Sequence, residues 1–204
     1  MFLDRDGVVT EPVWNPATSA YESAHHVSDV ALCTGSLEAM RQLQSAGFEL
    51  FIVSNQPSYA KGKVSLEELQ AIGHDVNRRL AEAGIRLRQA YYCYHHPNGV
   101  VADYTGACAC RKPGTYFLRQ ASHEFGIDLR RSWMVGDRDT DVECGQRAGC
   151  RTILVAHPHS DQVGSSRPDY AADNLLEAVP FIVAERTRTA VAVSDGGTSD
   201  EDGR

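Results

Sequence analysis

The chain has 204 residues, of which 42% are hydrophobic and 23% charged, and its formal net charge is -7 at pH 7. This length favours one domain with a sizeable core over two small ones. The acidic balance argues against nucleic acid or an anionic membrane as partner, because both are themselves negatively charged. We therefore expect a monomer that binds a small molecule, with one domain over residues 1–185 and a disordered tail over 186–204, which is short of large apolar residues.

No stretch reaches the roughly 18 consecutive apolar residues of a membrane span, and the chain does not open with a signal-peptide pattern. We therefore expect a cytoplasmic protein. Six cysteines in a reducing compartment are more typical of free thiols or metal ligands than of a disulfide framework.

Apolar runs alternate with amphipathic stretches along the chain. After a short apolar stub at residues 1–3, the pattern predicts strands at 48–55, 88–94, 132–137 and 151–157. Helices are predicted between them at 36–46 with Ser36 as N-cap, after a capping box at Ser65 and Glu68, at 114–125 and at 139–148. This alternation predicts a three-layer α/β fold with a central parallel sheet. In such sheets, ligands bind at the carboxyl ends of the strands.

Two aspartates, Asp4 and Asp6, lie one residue apart directly after the apolar stub. On an extended segment their side chains point the same way, so the carboxylates repel each other unless a cation or a shared proton holds them. Three more polar pieces end or flank predicted elements, namely "VSNQ" at 53–56, "CRKP" at 110–113 and "VGDRDTD" at 135–141. Each piece alone is ordinary turn chemistry. Together they supply the carboxylates, hydroxyl and lysine that phosphoryl transfer requires.

These four pieces, in this order, resemble the haloacid dehalogenase (HAD) superfamily of aspartate-dependent phosphohydrolases. The resemblance extends from residue 2 to about 176 and implies a Rossmann-like HAD fold. It also implies that Asp4 is the nucleophile and that Asp6 is the general acid and base. Ser54 and Lys112 would then bind the phosphoryl group.

The same resemblance implies a magnesium site. Mg²⁺ would be held by the Asp4 carboxylate, the Asp6 backbone carbonyl and Asp137, with Asp141 supporting the site. A hard cation with oxygen ligands would cancel the repulsion among these carboxylates and a bound phosphate.

A second metal site is predicted from Cys93, His95, Cys108 and Cys110. CxH and CxC pairs suit tetrahedral Zn²⁺, and four protein ligands leave no open position, so this zinc would be structural. The alternative is a set of reduced thiols beside a surface histidine. The adjacent His96 is an alternative ligand to His95.

The CxH and CxCRKP loop resembles the zinc-containing branch of the superfamily that includes heptose 1,7-bisphosphate phosphatases and histidinol-phosphate phosphatases. That branch has no large cap domain, and the resemblance implies substrate contacts from Asn55, Gln56, Arg111 and Arg138. "SNQPSYAKG" resembles the heptose pattern and favours a sugar bisphosphate substrate. "TEP" at 10–12 resembles the histidinol branch, so histidinol phosphate is the alternative substrate. A non-catalytic, zinc-stabilised binding module is the alternative from another functional class.

Overall fold

The computed structural model of the chain describes residues 1–160, 164 and 166–195. Its strands are β1 (Phe2–Leu3), β2 (Val13–Asn15), β3 (Ala20–Glu22), β4 (Leu50–Asn55), β5 (Leu87–Cys93), β6 (Trp133–Gly136), β7 (Arg151–Val155) and β8 (Tyr170–Ala172). Its helices are α1 (Ser36–Ser45), α2 (Leu66–Glu82), α3 (Tyr116–Phe125), α4 (Asp139–Ala148) and α5 (Leu175–Asp195). None of the helices in this described part is long and apolar enough to cross a membrane.

Six strands form one parallel sheet in the order β5-β4-β1-β6-β7-β8. The central strand β1 has only two residues and is hydrogen-bonded between β4 and β6. A separate antiparallel hairpin, β2–β3, follows β1. This architecture confirms the predicted α/β fold with a central parallel sheet, and within the described residues no large cap domain is attached to it.

Alternate residues of the central strands pack against different helices. Leu3, with its neighbours on the same face of the sheet, belongs to a core that includes Met40 of α1, Ile72 of α2 and Ile182 of α5. On the other face, Phe2 packs in a cluster with residues of α3 and α4. Burial on both faces explains why these strands are apolar throughout, as is typical of parallel sheets.

Several boundaries differ from the sequence-based prediction. Ser36 is the first residue of α1 rather than its N-cap, because Gly35, with φ of 78°, occupies the cap position in the left-handed region. Helix α3 begins at Tyr116 instead of 114. Helix α5 crosses residue 185, the predicted end of the domain, and continues to Asp195. The remainder of the predicted disordered tail, 196–204, lies outside the described residues.

Candidate active site

The predicted catalytic pieces meet at the carboxyl edge of the sheet. Asp4 follows β1, Ser54 lies near the end of β4, and Asp137 follows β6. These three strands are adjacent in the sheet, so their carboxyl ends bring the side chains together. Lys112 reaches the same place from the segment before α3 and is only 2% exposed.

Lys112 is the cationic centre of the site. Its Nζ lies 2.8 Å from Asp4 Oδ1 and 2.6 Å from Asp141 Oδ1, and it donates to the Val53 carbonyl at 2.7 Å. Burial disfavours the ammonium, but the carboxylates of Asp141 and Asp4 outweigh it, so the pKa of Lys112 is raised. The lysine therefore stays charged and holds the Asp4 carboxylate in place.

The surroundings of the Asp137 carboxylate suit a bound cation. Carboxylate oxygens of Asp4, Asp137 and Asp141 lie within 4.8 Å of one another. Burial, and next the charge of Asp4, raise the pKa of Asp137 to about 6. Among the described residues its buried Oδ1 has no hydrogen-bond partner, while the Ser160 hydroxyl donates to its Oδ2. Clustered carboxylate oxygens with an unpaired lone pair fit a hard divalent cation.

The turn after Asp6 passes so close to the Asp137 carboxylate that it requires a glycine, Gly7. Its φ is 86°, and a Cβ atom at this position would collide with the Asp137 carboxylate. The glycine after the second aspartate of the "DRDG" stretch thus lets the turn pass directly beside Asp137.

The side chain of Asp6 is bound by a network of its own. Arg5 contacts both of its oxygens at 3.1 Å, Gln56 Nε2 donates at 2.6 Å, and Ser23 donates at 3.0 Å. Burial acts to raise the pKa of Asp6, but the Arg5 charge and these hydrogen bonds outweigh it, so the pKa is lowered. Asp6 is therefore held ionised beside the Asp4 site.

Sequence reasoning missed Arg5. Its side chain is 1% exposed, donates hydrogen bonds to Asp6 and, at 2.7 Å, to the side-chain oxygen Oε1 of Gln56, and lies over the Tyr92 ring. An arginine placed between two aspartates directly after the apolar first strand was the available signal. Such a charge is rarely buried unless it is paired.

Two of the predicted substrate contacts, Gln56 and Asn55, make hydrogen bonds within the site. Gln56 is 1% exposed, and its amide is engaged by Asp6, Arg5 and Ser54. The Asn55 side chain exchanges two hydrogen bonds, of 3.1 and 3.0 Å, with the backbone of Lys112, although it also borders the pocket. Both amides therefore position charged groups of the site.

The site opens into a pocket of about 330 Å³. Asp4, Asp6, Ser54 and Lys112 form one side, and the β2–β3 hairpin contributes another wall. The remaining walls carry four cationic side chains, which belong to Lys61, Lys63, Arg111 and Arg138. Lys63 is paired with Glu22 of the hairpin at 2.5 Å. The predicted contacts Arg111 and Arg138 thus do border the pocket.

The cations of the pocket wall repel one another. Burial, followed by the charges of Lys63 and Arg111, lowers the pKa of Lys61. Burial also lowers the pKa of Arg111, and the Arg138 charge adds to this effect. Concentrated positive charge beside a carboxylate centre is suited to an anionic ligand with more than one charged group.

The predicted zinc ligands converge in the loop before Lys112. Sulfur–sulfur distances among Cys93, Cys108 and Cys110 are 3.3 to 3.6 Å, and the His95 Nδ1 lies 3.9 and 3.7 Å from two of them. Tetrahedral zinc with bonds of about 2.0–2.3 Å requires ligand separations of about 3.5–3.8 Å. The four donor atoms therefore fit one tetrahedral ion. His96 instead accepts a hydrogen bond from the Asn98 amide, so the structure favours His95.

The fold and this arrangement of charges are those of the HAD-like phosphatases. The HAD hydrolase-like family model matches residues 109–178, which include Lys112, Asp137 and Asp141. D-glycero-D-manno-heptose-1,7-bisphosphate 7-phosphatase of Thermosynechococcus vestitus is 38% identical over 192 residues, covering 89% of this chain and 94% of that protein. D-glycero-beta-D-manno-heptose-1,7-bisphosphate 7-phosphatase of Yersinia pestis is 34% identical, covering 90% and 95%.

A solved structure agrees with these relatives. D,D-heptose 1,7-bisphosphate phosphatase from B. bronchiseptica, complexed with magnesium and phosphate, superposes with a TM-score of 0.72 at 25% identity. The match covers 91% of this chain and 98% of that one. The chain belongs to the HAD phosphatase family, in the branch of the heptose bisphosphate phosphatases. The predicted family and the predicted class of enzyme, a phosphoric monoester hydrolase, are thereby confirmed.

Proposed function

We propose that this protein hydrolyses the 7-phosphate of D-glycero-D-manno-heptose 1,7-bisphosphate through an aspartyl phosphate on Asp4. The observation that carries the proposal is the Asp4–Lys112 pair of 2.8 Å at one side of a pocket that four cationic side chains also border. Relatives that carry this activity in their names are 30–38% identical to the chain over most of its length.

Asp4 supplies the nucleophile. One of its carboxylate oxygens attacks phosphorus, and the bond between phosphorus and the sugar oxygen breaks as the acyl phosphate forms. Lys112, which is already 2.8 Å from Asp4, neutralises the phosphoryl oxygens, and the Ser54 hydroxyl at the pocket wall donates a hydrogen bond to them.

Asp6 transfers protons in both steps. It gives a proton to the departing sugar oxygen and then takes one from the water that hydrolyses the acyl phosphate, which frees phosphate and restores Asp4. Its network with Arg5, Gln56 and Ser23 favours the ionised form that the second step needs. The dianionic phosphate entering the pocket adds negative charge, which raises the proton affinity of Asp6 for the first step.

The carboxylates fit Mg²⁺. Asp4 and Asp137 would hold it together with the Asp6 backbone carbonyl, and the Asp137 Oδ1 without a partner among the described residues supports this proposal. When bound, the ion neutralises negative charge shared between the carboxylates and the transferring phosphate. Asp141 binds Lys112 at 2.6 Å and thereby positions the lysine.

Zinc at Cys93, His95, Cys108 and Cys110 would act structurally. Cys110 directly precedes Arg111 and Lys112, so a fixed loop fixes both cations at the pocket. Arg111 also donates to the His95 carbonyl at 3.3 Å, which ties the pocket wall to the zinc loop.

The cationic walls favour a bisphosphate. Lys61, Arg111 and Arg138 can bind a second phosphate while the first lies at Asp4. Histidinol phosphate carries an ammonium group instead, which these cations repel. Phosphorus NMR of the products tests this assignment. Heptose 1-phosphate as the product from either bisphosphate anomer supports it, whereas heptose 7-phosphate contradicts it.

We propose a monomer that works in the cytoplasm with small phosphorylated metabolites as its ligands, and a domain that ends near residue 185. The net charge of -7 supports the expectation that nucleic acid is not a partner. Light scattering at micromolar concentration tests the monomer directly.

A further inference from the structure

A third group of side chains that can bind metal lies beside the active site. It consists of Glu11, Cys33 and His157, whose donor atoms all lie within 4.8 Å of one another. The three residues come from separate segments, after β1, before α1 and after β7. We propose that they form a binding site for a transition-metal dication such as Zn²⁺, separate from both the carboxylate centre and the cysteine-rich loop.

The donor set has the chemistry of a zinc site. Thiolate, imidazole and carboxylate are the three ligand types that Zn²⁺ accepts in proteins, and three protein ligands leave a fourth position for water. His157 Nε2 lies 2.9 Å from Glu11 Oε2. Ligands of a tetrahedral ion with bonds of about 2.0–2.1 Å are about 3.3 Å apart, so this pair needs to open by only a few tenths of an ångström.

The three side chains border a cavity of about 270 Å³ that has room for the ion and its water. Ser36 lies in the same lining, is 1% exposed, and its hydroxyl has no hydrogen-bond partner among the described residues. A water on the fourth position of the ion would supply that partner. The Glu11 side chain is 39% exposed, which gives an ion a path from solvent.

Metal binding requires two local changes. Burial first, and then Glu11, raise the pKa of the Cys33 thiol, so the ion must displace its proton. Without a metal, His157 Nδ1 accepts a hydrogen bond of 3.2 Å from the backbone N–H of His159. A metal on Nε2 moves the remaining ring proton to Nδ1, so this hydrogen bond is lost.

Loss of the His157–His159 hydrogen bond would affect residues at the active site. His159 stacks on Tyr21 of the β2–β3 hairpin with ring centroids 3.6 Å apart, and Tyr21 contacts the Trp14 ring at 5.3 Å. Ser160 of the same segment donates to Asp137. Metal binding at the proposed site should therefore alter the fluorescence of Trp14.

Cobalt titration tests the site without using phosphatase activity. The full chain is first given one equivalent of zinc for the cysteine-rich loop, and Co²⁺ is then added while thiolate-to-cobalt absorption and released zinc are both followed. We expect the absorption to saturate at one equivalent without zinc release. Cys33→Ser should abolish the absorption, and Glu11→Gln should weaken cobalt binding by about tenfold or more.

Cys150→Ala is the matched control, because Cys150 is a buried thiol in the core cluster between the sheet, α3 and α4, outside the proposed site. It should leave the cobalt absorption and the Trp14 response unchanged. The proposal is overturned if wild type shows no thiolate absorption. It is equally overturned if the absorption accompanies zinc release and survives in Cys33→Ser, because the cobalt would then occupy the cysteine-rich loop. A folded Cys33→Ser, checked by circular dichroism, keeps either result interpretable.

Discussion

The Lys112 ammonium lies 2.8 Å from the Asp4 carboxylate, and both groups are almost completely buried. The pair joins the segment before α3 to the end of the central strand. Because a buried charge is stable only with a partner, this contact holds the site together and fixes the position of the nucleophile.

Asp4→Asn should fold and bind Lys112 through Asp141 alone, yet lose phosphatase activity by at least about 10³-fold. An amide cannot form the acyl phosphate. Asp103→Asn, at an exposed position, is the matched control and should retain full turnover. Activity of Asp4→Asn within tenfold of wild type would contradict covalent catalysis by Asp4.

Arg5→Gln should move the acid limb of the pH profile of kcat to higher pH, because the Arg5 charge and its hydrogen bonds lower the pKa of the Asp6 carboxyl. The profile is measured alongside Arg86→Gln, which changes an exposed arginine. An unchanged acid limb would show that the Arg5 contact does not tune Asp6.

The Arg5–Asp6 ion pair should also make the stability of the fold depend on pH. The folded pKa of Asp6 is below its ordinary value of 3.8, so the pair stabilises the fold above that value. This contribution is lost as pH falls through the folded pKa. Urea unfolding should therefore show a smaller loss of stability below about pH 4 in Arg5→Gln than in wild type.

Cys108→Ser should release zinc and lower the free energy of unfolding by about 2 kcal/mol or more, which for a domain of this size reduces Tm by about 4–8 °C. Elemental analysis and calorimetry measure the two effects, and Cys150→Ala should retain the metal. If the purified wild type carries no zinc, the proposed loop site fails.

Arg111→Met should raise KM for heptose bisphosphate by about 10- to 100-fold, the cost of one charged hydrogen bond to phosphate. KM for p-nitrophenyl phosphate, which has a single phosphate, should change much less. The exposed Arg130 supplies the control variant Arg130→Met, and zinc content confirms that the loop is intact. Equal changes in KM for both substrates would argue against a second phosphate at Arg111.

The positions of Asp4, Ser54 and Asp137 at one edge of the sheet were predictable from sequence. Each lies at or just after the end of an apolar run, and parallel strands place their carboxyl ends together. The cysteine and histidine spacing likewise predicted four donor atoms that the structure brings within tetrahedral reach.

Other features depend on contacts between distant segments. Arg5 is buried only because Asp6 and Gln56, from the ends of different strands, surround its guanidinium. The hairpin strands β2 and β3 have three residues each, too few for a recognisable alternation, so they were not predicted. The hydrogen bonds of Gln56 with Asp6, Arg5 and Ser54 were not predicted, since sequence does not show which way a side chain at a strand end turns.

Phosphate release from D-glycero-D-manno-heptose 1,7-bisphosphate, measured with and without Mg²⁺ and beside histidinol phosphate, is the decisive test of the proposed function. We expect Mg²⁺-dependent release with a kcat/KM for the heptose bisphosphate far above that for histidinol phosphate. A preference for histidinol phosphate would contradict the substrate, and no release from either compound would contradict the proposed function.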